Sequence, residues 1–423
     1  MKIIDTHNDL PGALRNKCGY SVDELDQFRP ELQTDIGRLR SGDVGAQFWS
    51  VWVPSDMVEP DAVVATMEQV DAVYRLVAKY PDDLAMAFTA DDAEKMMRGG
   101  RIASLLGIEG GHSINESLGA LRTFARLGVR YMTLTHNDDT SWAASGTGLR
   151  QHTGLSAMGK AIVAEMNRIG MMVDLSHTAE STQNAALDCA QAPLIFSHSS
   201  MRSVTDHPRN VSDEVLERLV ANQGVVQITF VPSFVSQACA DWQVASNAKR
   251  AELKLGIAEG SPEAELVYSF AKAAPRPGES ARDAKSRNES LLPYDTVPRG
   301  REEAGAAYAS WMENNPKPQA TLADVADHCD HARDVVGINH VGIGGDFDGT
   351  PTLPVGLEDV STYPALLEEL RRRRWSLADT QKLASENFLR VMRAVEDAAS
   401  ALILPERVRD AISSLNLMGT SSS

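Results

Sequence analysis

Hydrophobic residues in this chain occur as short unbroken runs, separated by longer stretches with helical periodicity. Unbroken runs of this kind are typical of strands that are buried on both faces of a parallel sheet. They predict eight strands, at residues 2–6, 44–53, 103–110, 129–136, 171–177, 193–198, 225–231 and 340–347. The stretches with helical periodicity predict helices at residues 60–80, 117–126, 157–169, 179–190, 212–222, 321–336, 363–372 and 376–399. Repeated alternation of strand and helix indicates an α/β protein, and eight strands indicate a (β/α)8 TIM barrel.

One long segment, residues 233–319, interrupts this alternation between the seventh and eighth predicted strands. It is rich in Ala, Glu, Lys, Pro and Gly, and helical patterns occur in it at residues 262–273 and 302–313. Connections of this length are usually functional lids or binding segments. We therefore expect a single barrel domain over residues 1–399, with an insertion that covers the pocket or meets a neighbouring subunit. Residues 400–423, which end in LMGTSSS, are expected to form a C-terminal extension or tail.

Charge and composition narrow the classes of partner. The 423 residues carry a formal charge of −17, which disfavours general binding to nucleic acids or anionic membranes. No apolar run is long enough to cross a bilayer, and the four cysteines are scattered without a CxxC pair. We expect a cytoplasmic protein with no nucleic-acid or membrane partner.

Polar residues suited to metal binding and proton transfer cluster at the ends of the predicted strands. In a TIM barrel, the active site lies where the carboxyl ends of the strands meet. The residues at these ends are His7, Asp9, Glu109, His136, His177, His198 and Asp346. A single histidine at a strand end is more often structural than a metal ligand, and we expect His112, His328, His331 and His340 to be structural. The coincidence of several such residues at one end of the barrel favours a catalytic site.

The types of side chain indicate a metal centre. Residues two apart in an extended strand point to the same side, so His7 and Asp9 could bind one ion together. Imidazole and carboxylate groups suit a divalent metal such as zinc. Two further histidines on adjacent strands could bind a second ion, and Glu109 could bridge the two ions.

Several longer motifs resemble those of one known family. They are HNDLP, GAQFWSV, IEGGHSI, RYMTLTH, IFSHSS, RNVSDEVL, GGDFDG and GLEDVS. Together they are similar to the membrane dipeptidases, also called renal dipeptidases, of the metal-dependent amidohydrolase superfamily. The resemblance covers residues 3–235 and 320–398. The cysteines that form disulfides in mammalian members are absent, so the chain resembles a bacterial, intracellular type.

The resemblance implies a role for each candidate residue. The implied metal ligands are His7 and Asp9 for one zinc ion, His177 and His198 for the other, and Glu109 as the bridge. His136 would contact the substrate near the scissile carbonyl, and Arg209 would bind its terminal carboxylate. Asp346, rather than Asp348, would lie beside the catalytic water and transfer its proton.

The implied activity is hydrolysis of free dipeptides with two Zn2+ ions per chain, with tolerance of a D-residue at the C-terminal position. The resemblance also suggests a homodimer. Two alternatives stay open: a related amidohydrolase that acts on N-acyl amino acids or lactams, and a non-catalytic binding protein. The intact ligand set argues against the binding protein, because a decayed enzyme would normally have lost ligands.

Overall fold

The computed structural model describes residues 1–57, 60–149, 153–253, 255 and 300–418, with side chains described except at 300–302 and 403–418. All of its strands are parallel. They are β1 (Ile3–Asn8), β2 (Val44–Trp52), β3 (Leu84–Met86), β4 (Ile102–Glu109), β5 (Val129–Thr133), β6 (Met172–Asp174), β7 (Ile195–Phe196), β8 (Val225–Ile228) and β9 (Val341–Ile343).

Eight of these strands close into a barrel. The sheet order is β2-β1-β9-β8-β7-β6-β5-β4-β3, and the additional pairing of β2 with β4 closes the ring. The predicted (β/α)8 barrel is therefore confirmed. The strand β3 was not predicted: its three residues pair with Ile102–Ser104 of β4, and so short a strand leaves no recognisable apolar run.

Helices surround the barrel, and most of the predicted ones are present within a residue or two. The α-helices span Leu10–Cys18, Ile36–Ser41, Pro60–Lys79, Ala90–Arg98, Leu118–Arg126, Ala157–Ile169, Glu180–Cys189, Asp213–Ala221, Pro232–Val235, Gln237–Glu252, Gly300–Asn314, Leu322–Val336, Tyr363–Arg372, Leu377–Gln381 and Asn387–Met418. A π-helical turn spans Lys382–Glu386, and short 3-10 turns lie at Gly111–Ile114, Ile338–His340 and Val360–Thr362.

The short helices at 10–18, 36–41 and 90–98 were not predicted. Local hydrogen bonds help to define two of them: the Asp35 side chain caps one, and Thr89 forms a reciprocal capping box at the other. The last helix was predicted to end at residue 399 but continues to Met418. None of the helices in the described part of the chain has the length and hydropathy of a membrane-spanning segment.

Two helices in the described part of the predicted insertion, Gln237–Glu252 and Gly300–Asn314, pack against each other. The Trp242 and Trp311 rings lie 6.1 Å apart, and the hydroxyl groups of Ser246 and Tyr308 are hydrogen-bonded at 2.7 Å. The helix predicted at 302–313 is confirmed as Gly300–Asn314, whereas the one predicted at 262–273 lies outside the described residues. Covering of the pocket by the insertion stays a prediction.

Buried polar contacts inside the barrel position the strand ends. The Asp5 carboxylate accepts hydrogen bonds from the backbone N–H groups of His7 at 3.1 Å and Gly345 at 3.0 Å. Its second oxygen accepts a hydrogen bond from Gln47 Nε2 at 2.8 Å. Because Asp5 is fully buried, these hydrogen bonds fix the positions of the carboxyl ends of β1 and β9 relative to each other.

Candidate metal centre and active site

The structure brings the predicted residues together at the carboxyl end of the barrel. Glu109 is the last residue of β4, but the three histidines at 136, 177 and 198 lie two or three residues beyond the ends of β5, β6 and β7. Asp9 is also outside its strand, because it is the residue that precedes the helix Leu10–Cys18. The chain is therefore not extended at Asp9, as the spacing argument for His7 and Asp9 assumed, although the Asp9 side chain still reaches His7.

Glu109, His177 and His198 form the tightest group. Nε2 of His177 lies 2.9 Å from Glu109 Oε1 and 3.0 Å from Nε2 of His198. Nε2 of His198 lies 3.3 Å from the same Glu109 oxygen. The three potential ligand atoms are therefore each within 3.3 Å of the other two.

His7 forms a second group on the other oxygen of Glu109. Its Nε2 atom lies 3.4 Å from Glu109 Oε2, 3.4 Å from Asp9 Oδ2 and 3.9 Å from Asp346 Oδ1. The two oxygens of one buried carboxylate thus face two different sets of ligand atoms. This is the arrangement that the predicted bridging role of Glu109 requires.

The donor set fits a metal ion. Tetrahedral zinc with Zn–N bonds of about 2.0–2.1 Å separates its ligand atoms by about 3.3 Å, close to the distances around Glu109 Oε1. The Nε2 atom of His7 is buried and, within the described part of the chain, has no hydrogen-bond partner. Three groups of ligand atoms could each hold an ion: His7, Glu109 and His198; Glu109, His136 and His177; and His7, Asp9 and Asp346.

The protonation states of Glu109, His177 and His198 agree with metal binding. Burial lowers the pKa of His177 and His198 well below the ordinary value, which favours the neutral imidazole that binds metals. Burial alone would raise the pKa of Glu109, but the neighbouring imidazole groups of His7, His177 and His198 hold it well below its usual range. Glu109 is therefore a carboxylate, the form that can bridge two cations.

Tyr131 orients the ring of His7. The Tyr131 hydroxyl donates to the carbonyl oxygen of Thr6 at 3.0 Å, so it accepts from Nδ1 of His7, 2.9 Å away. When the ring is neutral, its lone pair is then on Nε2, which faces the carboxylates. A side chain at Gly107 would overlap the Tyr131 ring, which explains the glycine at this position of β4.

His136 lies beside the tightest group but contacts it less closely. Its Nε2 is 3.8 Å from Glu109 Oε1, and its ring centroid is 4.3 Å from that of His177. Burial lowers its pKa to about 4, so the ring is neutral near pH 7. Its Nδ1 atom is buried and has no hydrogen-bond partner among the described residues.

Arg209 is a buried cation, and only some of its hydrogen-bond donors have a partner in the described structure. It is 4% exposed, and its one side-chain hydrogen bond in the described structure is from Nη2 to the His198 carbonyl at 3.4 Å. Its Nε and Nη1 donors have no partner there, and its guanidinium carbon lies 5.2 Å from the centre of the Phe234 ring. Burial lowers its pKa to about 10, which still leaves it charged. Such a group is suited to binding an anion.

Asp346 adopts the left-handed backbone conformation, which is uncommon for residues other than glycine. It lies three residues beyond β9 with a φ of +63°, and His177 has a φ of +65°. Strain of this kind is concentrated at functional sites. Burial and the nearby Asp9 carboxylate raise the pKa of Asp346 well above its ordinary value. Asp348 instead accepts a hydrogen bond from the Gln33 backbone N–H at 2.9 Å, which agrees with the preference for Asp346.

The four histidines predicted to be structural have structural partners. His112 and His340 lie within hydrogen-bond distance of the carbonyls of Val53 and Gly224. His331 pairs with Asp213, and Nδ1 of His328 accepts from the Met201 N–H at 2.9 Å.

Sequence reasoning missed the residues that support the site. These are Trp52, whose ring lies 5.5 Å from that of His136, and Tyr131, Asp174, Ser197 and Phe234. Tyr131 and Ser197 lie inside the RYMTLTH and IFSHSS motifs, which was the available signal. Nothing in the sequence pattern pointed to Phe234.

Comparison with known proteins identifies the family. The model of the family described as membrane dipeptidase (peptidase family M19) matches residues 1–406. Dipeptidase 3 of Rattus norvegicus is 36% identical over 93% of this chain, and that of Homo sapiens is 35% identical over 93%. The chain spans only 65% of the length of each of these two relatives.

Two solved structures share the fold. The probable dipeptidase PvdM from Pseudomonas aeruginosa has a TM-score of 0.74 at 24% identity, covering 94% of this chain and 96% of that one. A metallo peptidase from Rhodobacter sphaeroides, liganded with a phosphinate mimic of the dipeptide L-Ala-D-Ala, has a TM-score of 0.71 at 20% identity, covering 93% and 99%.

Dipeptidase verJ of Clonostachys rogersoniana is 37% identical over 94% of this chain and 85% of its own length. Together with the family model, which matches nearly the whole barrel, this similarity shows that the chain belongs to the membrane dipeptidase family.

Proposed function

We propose that this protein is a binuclear zinc dipeptidase that hydrolyses the peptide bond of free dipeptides. The observation that carries this proposal is the position of Arg209. Its buried guanidinium has two unpartnered donors and a hydrogen bond to the carbonyl of the ligand candidate His198. A site for an anion therefore adjoins a site for metal ions.

Five residues would hold the ions. His7 and Asp9 would hold one, His177 and His198 the other, and Glu109 would contribute one oxygen to each. When bound, a pair of divalent cations supplies a Lewis acid for the substrate carbonyl and lowers the pKa of a water molecule. The lowered pKa of His177 and His198 means that these ligands need lose no proton near neutral pH.

Arg209 would select substrates by length. A planar guanidinium can bind a carboxylate through two parallel hydrogen bonds. Because Arg209 is next to the metal-ligand cluster, the carboxylate that it binds must be close to the scissile bond. A dipeptide meets this requirement, whereas a longer peptide would carry its carboxylate too far from the bond.

His136 and Asp346 would handle charge and protons. The neutral ring of His136 can donate a hydrogen bond to the oxygen of the scissile carbonyl as negative charge develops there. Asp346 can accept a proton from the attacking water and return it to the departing amine. Bound cations would lower the raised pKa of Asp346 and so favour its proton-accepting form.

Tolerance of a D-residue at the C-terminal position is part of the proposal. It is supported by the metallo peptidase of Rhodobacter sphaeroides, which has the same fold and binds a mimic of L-Ala-D-Ala.

A substrate panel with a metal assay tests the proposal. The zinc-loaded protein should contain two ions per chain and should hydrolyse L-Ala-L-Ala and L-Ala-D-Ala. N-acetyl-L-alanine, which also ends in a carboxylate, tests the alternative amidohydrolase activity. Hydrolysis of N-acetyl-L-alanine or lactams without dipeptides would favour that alternative, and zinc binding without any hydrolysis would favour a binding protein.

A further inference from the structure

A buried carboxylate outside the proposed ligand set is connected to the metal centre. Asp174, the last residue of β6, is fully buried. Its Oδ1 atom accepts from the backbone N–H groups of Ser176 at 3.0 Å and Ser197 at 2.8 Å. Its Oδ2 atom accepts from the hydroxyl groups of Thr133 at 2.5 Å and Ser197 at 2.6 Å. The Asp174 carboxylate is the acceptor in all four hydrogen bonds.

This direction determines what the Ser197 hydroxyl can do next. A serine hydroxyl has one proton to donate, and Ser197 gives it to Asp174. Nδ1 of His198 lies 2.8 Å from Ser197 Oγ, so the oxygen can only accept from Nδ1–H. The His198 ring then carries its proton on Nδ1 and leaves the lone pair of Nε2 toward Glu109 and His177.

We propose that Asp174 and Ser197 are positioning residues that act through His198, setting its tautomer and orientation for metal binding. This proposal rests on the metal centre proposed above but not on the identity of the substrate. Neither residue touches the reacting atoms. They fix the direction of the hydrogen bond from His198 Nδ1–H to the Ser197 hydroxyl. Water cannot compete for this bond, because Ser197 is fully buried and His198 is only 1% exposed.

Ser197→Ala is the principal variant. It removes the partner of His198 Nδ1, while Asp174 keeps its hydrogen bonds from Thr133 and from the two backbone N–H groups. Outer partners of ligating histidines typically contribute about 10–100-fold to metal affinity. We therefore expect zinc to bind about 10–100-fold more weakly at one of the two sites.

Asp174→Asn reverses the direction of the hydrogen bond between residue 174 and the Ser197 hydroxyl instead of removing this bond. The amide can still accept from the backbone N–H groups through its oxygen, but its NH2 group then faces the hydroxyl groups of Thr133 and Ser197. Ser197 is free to donate to His198 Nδ1, and the proton moves to Nε2, where it blocks ligation. The expected loss of zinc affinity is at least as large as in Ser197→Ala.

Thr133→Val is the matched control. Thr133 donates to the same Asp174 oxygen as Ser197 and is equally buried, but its hydroxyl makes no described contact with His198. If Asp174 only stabilised the barrel, Thr133→Val and Ser197→Ala would have similar consequences. Under the proposal, Thr133→Val lowers the stability of the metal-free protein but binds both zinc ions like the wild type.

The experiment is an equilibrium zinc titration against a chromophoric chelator, with the unfolding midpoint of each metal-free protein measured in parallel. The proposal is supported if Ser197→Ala binds zinc more weakly at one site while Thr133→Val binds zinc at both sites as the wild type does. Unchanged zinc affinity in Ser197→Ala, or an equal loss in Thr133→Val, would overturn it. If Asp174→Asn does not fold, the comparison of Ser197→Ala with Thr133→Val still decides. A wild type that binds no zinc would overturn the metal centre as a whole, an outcome distinct from loss of the positioning role alone.

Discussion

Replacing Arg209 by methionine separates substrate binding from folding. Methionine fills much of the same space and can still pack against Phe234, but it removes the guanidinium. In the free protein, no described carboxylate pairs with Arg209, and two of its donors have no partner in the described structure. A buried charge without a counter-ion is costly. The unfolding temperature of Arg209→Met should therefore equal or exceed that of the wild type.

The effect on activity should be large. Arg209 is 4% exposed, so its contact with a carboxylate would resemble a buried charged pair rather than a surface ion pair. Loss of one partner of such a pair costs about 2–5 kcal/mol. This corresponds to a decrease in kcat/KM of about 30-fold to several thousand-fold. Arg209→Lys should recover only part of it, because an ammonium group lacks the planar fork of donors.

The assay compares L-Ala-L-Ala with its C-terminal amide. The wild type should prefer the acid strongly, Arg209→Met should lose most of this preference, and its zinc content should equal that of the wild type. Equal hydrolysis of acid and amide by the wild type would refute the role of Arg209 as the carboxylate ligand. A fall of several degrees in the unfolding temperature of Arg209→Met would instead indicate a structural role.

Three further substitutions test other parts of the site and the fold. Tyr131→Phe removes the acceptor of His7 Nδ1–H, so zinc titration should show about 10–100-fold weaker binding at one site; wild-type affinity would contradict this. His177→Ala should lose one ion and nearly all activity, whereas full activity with one ion bound would argue against a binuclear mechanism. Burial lowers the pKa of His328 to about 4, so its neutral form contributes about 3 kcal/mol of stability at pH 7 that is lost as the pH falls from about 6.5 to about 4. Measured by urea unfolding, the free energy of unfolding should fall less between pH 7 and pH 4.5 for His328→Gln than for the wild type. Equal decreases would contradict the lowered pKa of His328.

The sequence by itself determined the barrel and the set of candidate metal ligands. Long helices such as Ala157–Ile169 and Leu322–Val336 were predicted to within a residue, because an amphipathic helix must repeat its apolar face along the chain. Glu109, His177 and His198 were predicted because catalytic side chains of a barrel follow its strands. Each of these signals is local and can be recognised without knowledge of distant neighbours.

Only the tertiary structure decided which residues support the candidate metal ligands. The three residues of β3 are a strand only because β4 offers hydrogen bonds to them, and Asp9 reaches His7 from a helix start rather than from a strand. Tyr131, Asp174 and Ser197 acquire their roles from partners on other strands, such as the contact of Tyr131 with His7, 124 residues away. A sequence motif shows which side chains are present, but only the closed barrel brings their hydrogen-bonding atoms within 3 Å and excludes the water that would otherwise compete for them.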